Sequence, residues 1–483
     1  MTGTELFALL PLIVITLAAI VVMLTVAFHR EHSLTFVLTL AGFALSFAAA
    51  FIVLPATPTQ VTPLLIIDRY AIFYMALIFA SGFAVAALCY GYLVERPGEH
   101  DELYMLLLMA VLGAVVLVAS AHLASFFLGL ELLSVSLFAM IAYPRRYAQP
   151  LEAGIKYLIL SGVSSSFLLF GMALVYAQQG HLDFAGIART LARSQDLSDI
   201  YLMAGSALIV AGVGFKLSVV PFHMWTPDVY QGAPAPITGF LATISKGAVF
   251  AVLLRYFVQA DGYSFGPLLT VLGLISLVSM IAGNLLALLQ NNVKRILAYS
   301  SIAHLGYLLV AFLAAGPMAV EAVSFYLLAY FVTTLGAFAV VTLCSLHDQE
   351  TDTDDLENYR GLFWRQPWLA GAFTAMLLSL AGIPLTAGFL AKFYAFAAGI
   401  DAALWLLLVV LVVTSIIGLY YYLRIIVALY SAPAETADME PQAASSALTG
   451  GIILAALTLL LIWLGVYPTP FIDLISAIAA GIT

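Results

Sequence analysis

Charge is the scarcest feature of this chain: only 9% of its 483 residues are Asp, Glu, Lys or Arg. A soluble domain carries roughly 25% charged residues, so this sequence cannot clothe a water-exposed surface. Basic residues are also in the minority. With 17 Lys+Arg against 26 Asp+Glu the formal charge is −9, and no nucleic-acid footprint is expected. Cysteine is nearly absent: Cys89 and Cys344 both fall in apolar runs, which argues against a disulfide framework or a metal cluster. Neither a phosphate-binding loop nor a dinucleotide glycine fingerprint occurs, and no histidine pair is placed to ligate haem. The chain by itself is therefore expected to hold no redox centre, no ATP site and no cofactor. Its energy must come from a partner or an ion gradient.

What is present is apolar. Hydrophobic residues make up 64% of the chain, and the mean hydropathy is +1.08. A spanning helix needs about 20 predominantly apolar residues. Cutting the sequence at polar or Pro/Gly-rich breaks predicts spans over 5–28, 33–54, 69–92, 104–120, 122–143, 154–177 and 202–223, then 235–258, 265–288, 296–315, 321–345, 368–396, 401–430 and 448–467. The expected fold class is thus an all-α polytopic membrane protein of about fourteen transmembrane helices. Only 92–103, 178–201, 346–367 and 431–447 are long polar connections, too short for a folded extramembrane domain. The first apolar run has no basic residues before it and is read as a retained span, not a signal peptide.

The basic residues orient this bundle. With both termini outside, Arg30, Arg96, Arg145, Arg146, Lys294, Arg295, Arg360 and Arg365 fall in cytoplasmic loops, and only Arg189 and Arg193 fall in an outside loop. The positive-inside rule then places both termini on the periplasmic side. Arg69, Arg255 and Arg424, near span ends, carry little weight.

An internal echo suggests a repeat. Glu152-Ala153, Tyr157-Leu158 and Val163-Ser164-Ser165 return 169 residues later as Glu321-Ala322, Tyr326-Leu327 and Val332-Thr333-Thr334. The echo pairs the sixth span with the eleventh, and an odd offset of five makes the two copies antiparallel across the bilayer. Inverted repeats of this kind typify transporters, with ion sites near the midplane. Chance similarity between two apolar helices is the alternative, and seven matched or conservatively matched positions at one offset favour the repeat.

Ionisable residues inside spans are expensive and mark ion paths or paired sites. Lys156, Lys216, Lys246 and Lys392 lie in predicted spans, and Glu131 is the one acid well inside a span. Lysine suits proton transfer because desolvation weakens its hold on a proton and a nearby carboxylate strengthens it. Arginine, always protonated, cannot do this. The alternatives are a structural ion pair or a lysine snorkelling to the interface, a serious rival for Lys156 near the start of its span. Two breaks lie beside these lysines: GVGFKLSVVPFHMW places Pro221 after Lys216, and SLAGIPLTAGFLAKFY places Gly382, Pro384 and Gly388 before Lys392. Such breaks occur in transporters, although a simple proline kink is common. His223 and His304 are secondary candidates, since imidazole titrates near neutrality; core histidines are as frequent. His122, close to a helix end, is a weaker one. Tyr420, Tyr421 and Tyr422 read as packing or interface aromatics.

The stretch GFKLSVVPFHMWTPDVYQGAPAPITGFLATISK (214–246) resembles the antiporter-like membrane subunits of respiratory complex I, the proton-translocating NADH–quinone oxidoreductase. LASFFLGLELLSVSLF (123–138), YSSIAHLGYLLVA (299–311) and GIPLTAGFLAKFYAF (382–396) match the same family, and the resemblance runs along essentially the whole chain. TPDVYQGAPAP is its most specific piece and is similar to the subunit N branch; M-type chains have glutamate where Lys392 stands. The resemblance implies an N-terminal three-helix segment (1–100), a first five-helix repeat (101–260), an inverted second repeat (261–430) and a loop with a last helix (431–483), with helices 7 and 12 discontinuous. It further implies a relay in which Glu131 modulates Lys216, Lys246 is the central lysine and Lys392 lies near the exit, with Lys156 near the Glu131 side. FMN, iron–sulfur clusters, NADH and quinone would belong to other subunits. The implied partners are those membrane and peripheral subunits and the lipid of a bacterial inner membrane. A subunit of a cation/proton antiporter with the same fold is the alternative, and a scaffold whose charges merely pair is a third.

Overall fold

A computed structural model describes residues 2–98, 100–193, 200–346, 352–432 and 445–482. Parts of the polar connections 178–201, 346–367 and 431–447, and the side chain of Arg193, lie outside the described residues. Among the described residues thirteen helices are long and apolar enough to cross a membrane. They fall on thirteen of the predicted segments. The fourteenth, 368–396, folds as two shorter helices, Pro367–Ala381 and Ala387–Asp401. Numbered in chain order, spans 1 to 3 are Leu10–Phe28, His32–Ile52 and Arg69–Val94, and spans 4 to 7 are Asp101–Ala119, Leu123–Ile141, Ala148–Gln179 and Ile200–Leu217. Spans 8 to 11 are Ala235–Gln259, Gly266–Leu288, Val293–Leu313 and Gly316–Cys344, span 12 is the broken pair, and spans 13 and 14 are Trp405–Tyr430 and Leu448–Val466.

Burial sorts the spans. Spans 8, 10 and 11 are almost wholly enclosed, whereas spans 1 and 14 bury about a third of their residues and leave the rest for lipid. Adjacent spans approach closely where small residues meet: a Cβ on Gly113 in span 4 would stand 2.6 Å from the Leu133 nitrogen of span 5. Close backbone approach through small residues is how membrane helices gain packing without a hydrophobic driving force. Several buried charges outside the lysines of spans 7, 8 and 12 are paired. Arg255, fully buried in span 8, makes two bonds of 2.7 and 2.8 Å to Asp68, which also accepts the Ala71 N–H at the start of span 3. Arg96 and Lys294, read from sequence as loop cations, are buried instead against Asp352, at 3.5 and 2.8 Å.

Some features left no periodic signal. A short antiparallel hairpin, Thr59–Val61 with Leu65–Ile67, joins spans 2 and 3. Its Leu64 carbonyl accepts the Ala121 N–H between spans 4 and 5, and the Ala121 carbonyl accepts the Phe184 N–H beyond span 6. Two helices, Phe184–Arg193 and Thr469–Ile482, flank the bundle. Strands of three residues are too short to display a period.

Candidate functional site

Three helix distortions, each adjoining a lysine, organise the bundle interior. Span 7 ends at Leu217, one residue beyond Lys216. Ser218 adopts φ 61°, and the helix resumes only over Trp225–Gly232. Pro221 has no N–H to donate and bars its predecessor from helical geometry. Neighbours satisfy the groups set free: Val220 N–H donates to Ser279 Oγ (2.9 Å), and Trp225 Nε1 donates to the Phe215 carbonyl (3.0 Å). Span 12 breaks at Gly382, whose φ of 84° closes the first half, and Thr386 Oγ1 caps the second. Gly388 fits because a Cβ there would lie 1.9 Å from the Ser379 carbonyl. The third distortion was not read from the sequence. Leu241–Ser245 forms a π turn immediately before Lys246 in span 8. Such turns loosen the backbone ladder and recur at functional sites.

Lys216 is buried (3% exposed) and donates to Ser134 Oγ of span 5 at 2.7 Å and to Ser161 Oγ of span 6 at 2.5 Å. Glu131 accepts a short hydrogen bond from the Ser165 hydroxyl. No ion pair within 4.0 Å joins Glu131 to Lys216 among the described residues. The two charges meet through serines one helical turn apart: Ser161 and Ser165 share a face of span 6, and Glu131 and Ser134 share a face of span 5.

Lys246 (1% exposed) donates to Ser301 Oγ at 2.7 Å, and Ser301 bonds Tyr330 Oη at 2.6 Å. His304, one turn further along span 10, holds Tyr326 Oη at Nδ1 (2.8 Å) and Tyr422 Oη at Nε2 (3.3 Å). Tyr422 in turn makes a short bond with Ser300. The ring of Tyr307 lies 5.6 Å from that of His304, and Lys392 Nζ lies 5.1 Å from the Tyr307 ring centre. Lys392 stands on the second half of span 12 and donates to the Ala381 carbonyl of the first half at 2.9 Å. A cation there complements the negative end of the helix dipole, so the lysine bridges the break it adjoins.

Lys246, His304 and Lys392 are thus brought together around spans 8, 10 and 12, with Lys216 and Glu131 forming a second cluster. Two sequence candidates lie elsewhere. Lys156, with 41% of its side chain exposed, pairs with Glu152 (2.8 Å) and Asp228 (3.0 Å), and Arg295 also holds Asp228 at 2.8 Å. It sits in a charged patch at the bundle end, not beside Glu131. Its ammonium is held there because two carboxylates are within reach. His223 is buried, its Nδ1 is unpartnered, and no hydrogen bond ties it to a lysine.

Sequence reasoning missed the hydroxyls. Tyr422 is a hydrogen-bonded member of the His304 cluster and Tyr421 donates to Asn284 (3.1 Å), while Tyr420 is 65% exposed on the outer surface. Helical spacing was the available signal: Ser300, Ser301, His304 and Tyr307 follow one face, as do Tyr326 and Tyr330. The echo also marks these positions, since Tyr157 and Ser161 near Lys216 correspond at the 169-residue offset to Tyr326 and Tyr330.

Comparison with known proteins completes the picture. Residues 120–418 match the transmembrane family described as NADH:quinone oxidoreductase/Mrp antiporter. A NADH-quinone oxidoreductase subunit N from Nitrosospira multiformis is 56% identical, with 99% of this chain and 97% of that one covered. The chain belongs to this family, as a subunit N homologue. The namesake from Methylococcus capsulatus is 50% identical over 98% of this chain and 95% of its own. In respiratory complex I from Thermus thermophilus with bound aureothin, one chain superposes with a TM-score of 0.82 at 32% identity, covering 98% of this chain and all of that one. A chain of the Mrp complex from Dietzia sp. shares the fold alone, with a TM-score of 0.86 at 21% identity over 99% of this chain and 97% of that one.

Proposed function

We propose that this chain is the subunit N of a bacterial complex I and carries protons across the inner membrane through Glu131, Lys216, Lys246, His304 and Lys392. Electron transfer from NADH through FMN and iron–sulfur clusters to quinone takes place in partner subunits and reaches this one as an electrostatic or conformational signal. The observation that carries the reading is the site itself. Among the described residues, three lysines and a histidine lie inside the bundle without a carboxylate in direct contact, their hydrogen bonds go to hydroxyls or a carbonyl, and each lysine adjoins a distorted helix. A structural ion pair would use a carboxylate, as Arg255 and Asp68 do. Hydroxyls both accept and donate, so they pass a proton without holding a net charge.

In this reading the Glu131 charge governs how firmly Lys216 holds its proton. Ser165, Ser161 and Ser134 carry that influence, because the carboxylate and ammonium do not touch. A signal that displaces Glu131 frees the Lys216 proton toward Lys246, and Lys392, beside the break of span 12, hands it on. The breaks in spans 7 and 12 stand five spans apart, which agrees with inverted repeats over 101–260 and 261–430. His223 and Lys156 stand outside this path, Lys156 belonging to the charged end of the bundle. Both termini then face the periplasm.

The test uses the assembled complex in proteoliposomes. Lys216→Ala and Glu131→Ala are each expected to lower NADH-driven proton uptake per NADH oxidised, with uncoupled NADH oxidation retained. Normal uptake in both variants removes the mechanism. Native purification without flavin and iron–sulfur subunits would instead favour the antiporter reading.

A further inference from the structure

One tyrosine between the two clusters differs from its neighbours. Tyr326, Tyr330 and Tyr422 all have hydrogen-bonded hydroxyls. Tyr230, fully buried on the helix that resumes span 7 after its break, has a hydroxyl with no hydrogen-bond partner. Its environment is specific on both sides. Lys246 Nζ lies 5.3 Å from the centre of its ring. Ser301, which accepts from Lys246 and bonds Tyr330, stands beside its hydroxyl, and Tyr330 and Tyr157 are within electrostatic reach of it. Tyr157 belongs to the other cluster: its ring lies 5.6 Å from Lys216 Nζ, and its hydroxyl stands beside Ser134 and Ser161.

A buried hydroxyl without a partner is a cost that phenylalanine would not carry. The ring already packs, edge to face, on Phe338 with centroids 6.0 Å apart, so the oxygen adds nothing to that contact. Its placement does add something. No hydrogen bond joins the Lys216 cluster to the Lys246 cluster among the described residues, and this hydroxyl, with Ser301 beside it and Tyr157 within electrostatic reach, stands between the groups that would have to be joined.

We infer that Tyr230 is a proton-relay residue, the switchable link between Lys216 and Lys246. This inference rests on the proton-translocation reading above. Lys216 releases a proton through Ser161, Ser134 and Tyr157, directly or across one water molecule. The Tyr230 oxygen accepts a proton on that side as its own O–H proton passes to Ser301 and on to neutral Lys246. Lys216 ends one proton poorer, Lys246 one richer and Tyr230 unchanged, so atoms and charge balance. Rotation about the Cζ–Oη bond resets the hydroxyl. Because no hydrogen bond reaches it from the Lys216 side at rest, the link is open there until a signal at the span 7 break brings the two sides within bonding distance, which keeps protons from leaking between strokes.

The test is Tyr230→Phe, which removes one oxygen and keeps the ring. In the assembled complex in proteoliposomes, uncoupled NADH oxidation should match the parent, while proton uptake per NADH falls and the transfer step slows at least about tenfold. Unchanged uptake per NADH in Tyr230→Phe, with Lys216→Ala impaired, overturns the role of Tyr230 alone. Unchanged uptake in both variants overturns the translocation reading itself. If Tyr230→Phe fails to assemble, Tyr230→ortho-fluorotyrosine keeps the shape and hydroxyl but makes the O–H more acidic. The pH profile of coupled turnover should then shift, and an unshifted profile refutes the relay role, since a merely structural hydroxyl would leave it in place.

Discussion

Replacing Lys246 with methionine separates function from stability more sharply than any other single change. The side chains are similar in length, and Lys246 is almost fully buried, so methionine fills nearly the same space. Lys246 is enclosed and, among the described residues, faces no carboxylate within 4.0 Å and has one hydrogen bond, to Ser301. When Lys246 is protonated, holding the charge at such depth costs roughly 3 kcal/mol or more. The bond lost with it, from a charged donor, contributes about 1.5–3 kcal/mol. Ser301 is not orphaned, since Tyr330 remains its partner at 2.6 Å. The opposing contributions nearly cancel, so Lys246→Met should assemble and resist heat or detergent as well as the parent, or slightly better. Proton transfer should fare very differently. Loss of a positioned acid–base group slows transfer by about 10²–10⁴-fold, equivalent to roughly 3–5 kcal/mol of barrier. The assay is proton uptake per NADH in proteoliposomes, paired with thermal stability of the purified complex. Two results refute the reasoning: Lys246→Met that pumps normally, or Lys246→Met that falls apart, which would make the lysine a structural tie.

Other changes divide along the same line. Lys246→Arg should also fail to pump, because its charge does not titrate. Asp68→Ala should do the reverse: it strands Arg255 without a counter-ion at a cost of about 3–5 kcal/mol, seen as less assembled complex with normal uptake per NADH in what remains. Tyr422→Phe should lower uptake by cutting the hydroxyl link between His304 and Ser300, whereas Tyr420→Phe, on the exposed face two residues earlier, should be silent in the same assay. Gly388→Ala should disrupt span 12 and reduce assembled complex on immunoblots more than Lys392→Ala does, because its Cβ would meet a backbone carbonyl that cannot step aside.

The scarcity of charge made much of this chain legible without coordinates. Apolar runs are long, polar breaks are few, and a lysine in a span has few rivals for attention, so the spans and the residues Glu131, Lys216, Lys246 and Lys392 could be named from the chain alone. Pro221, Pro384 and Gly382 announced the two breaks because their backbone limits are local properties. The tertiary structure decided which of these residues meet. Lys156 looks in sequence like the other buried lysines, yet it turns to Glu152 and Asp228 at the bundle end, because those carboxylates are within reach. Glu131 and Lys216 are separated by serines, a distance no one-dimensional pattern encodes. The π turn before Lys246 and the partnership of His304 with Tyr326 and Tyr422 also emerged only on folding. Periodicity and composition report what one helix presents to its surroundings, and hydrogen bonds between hydroxyls depend on how separate helices are set against one another.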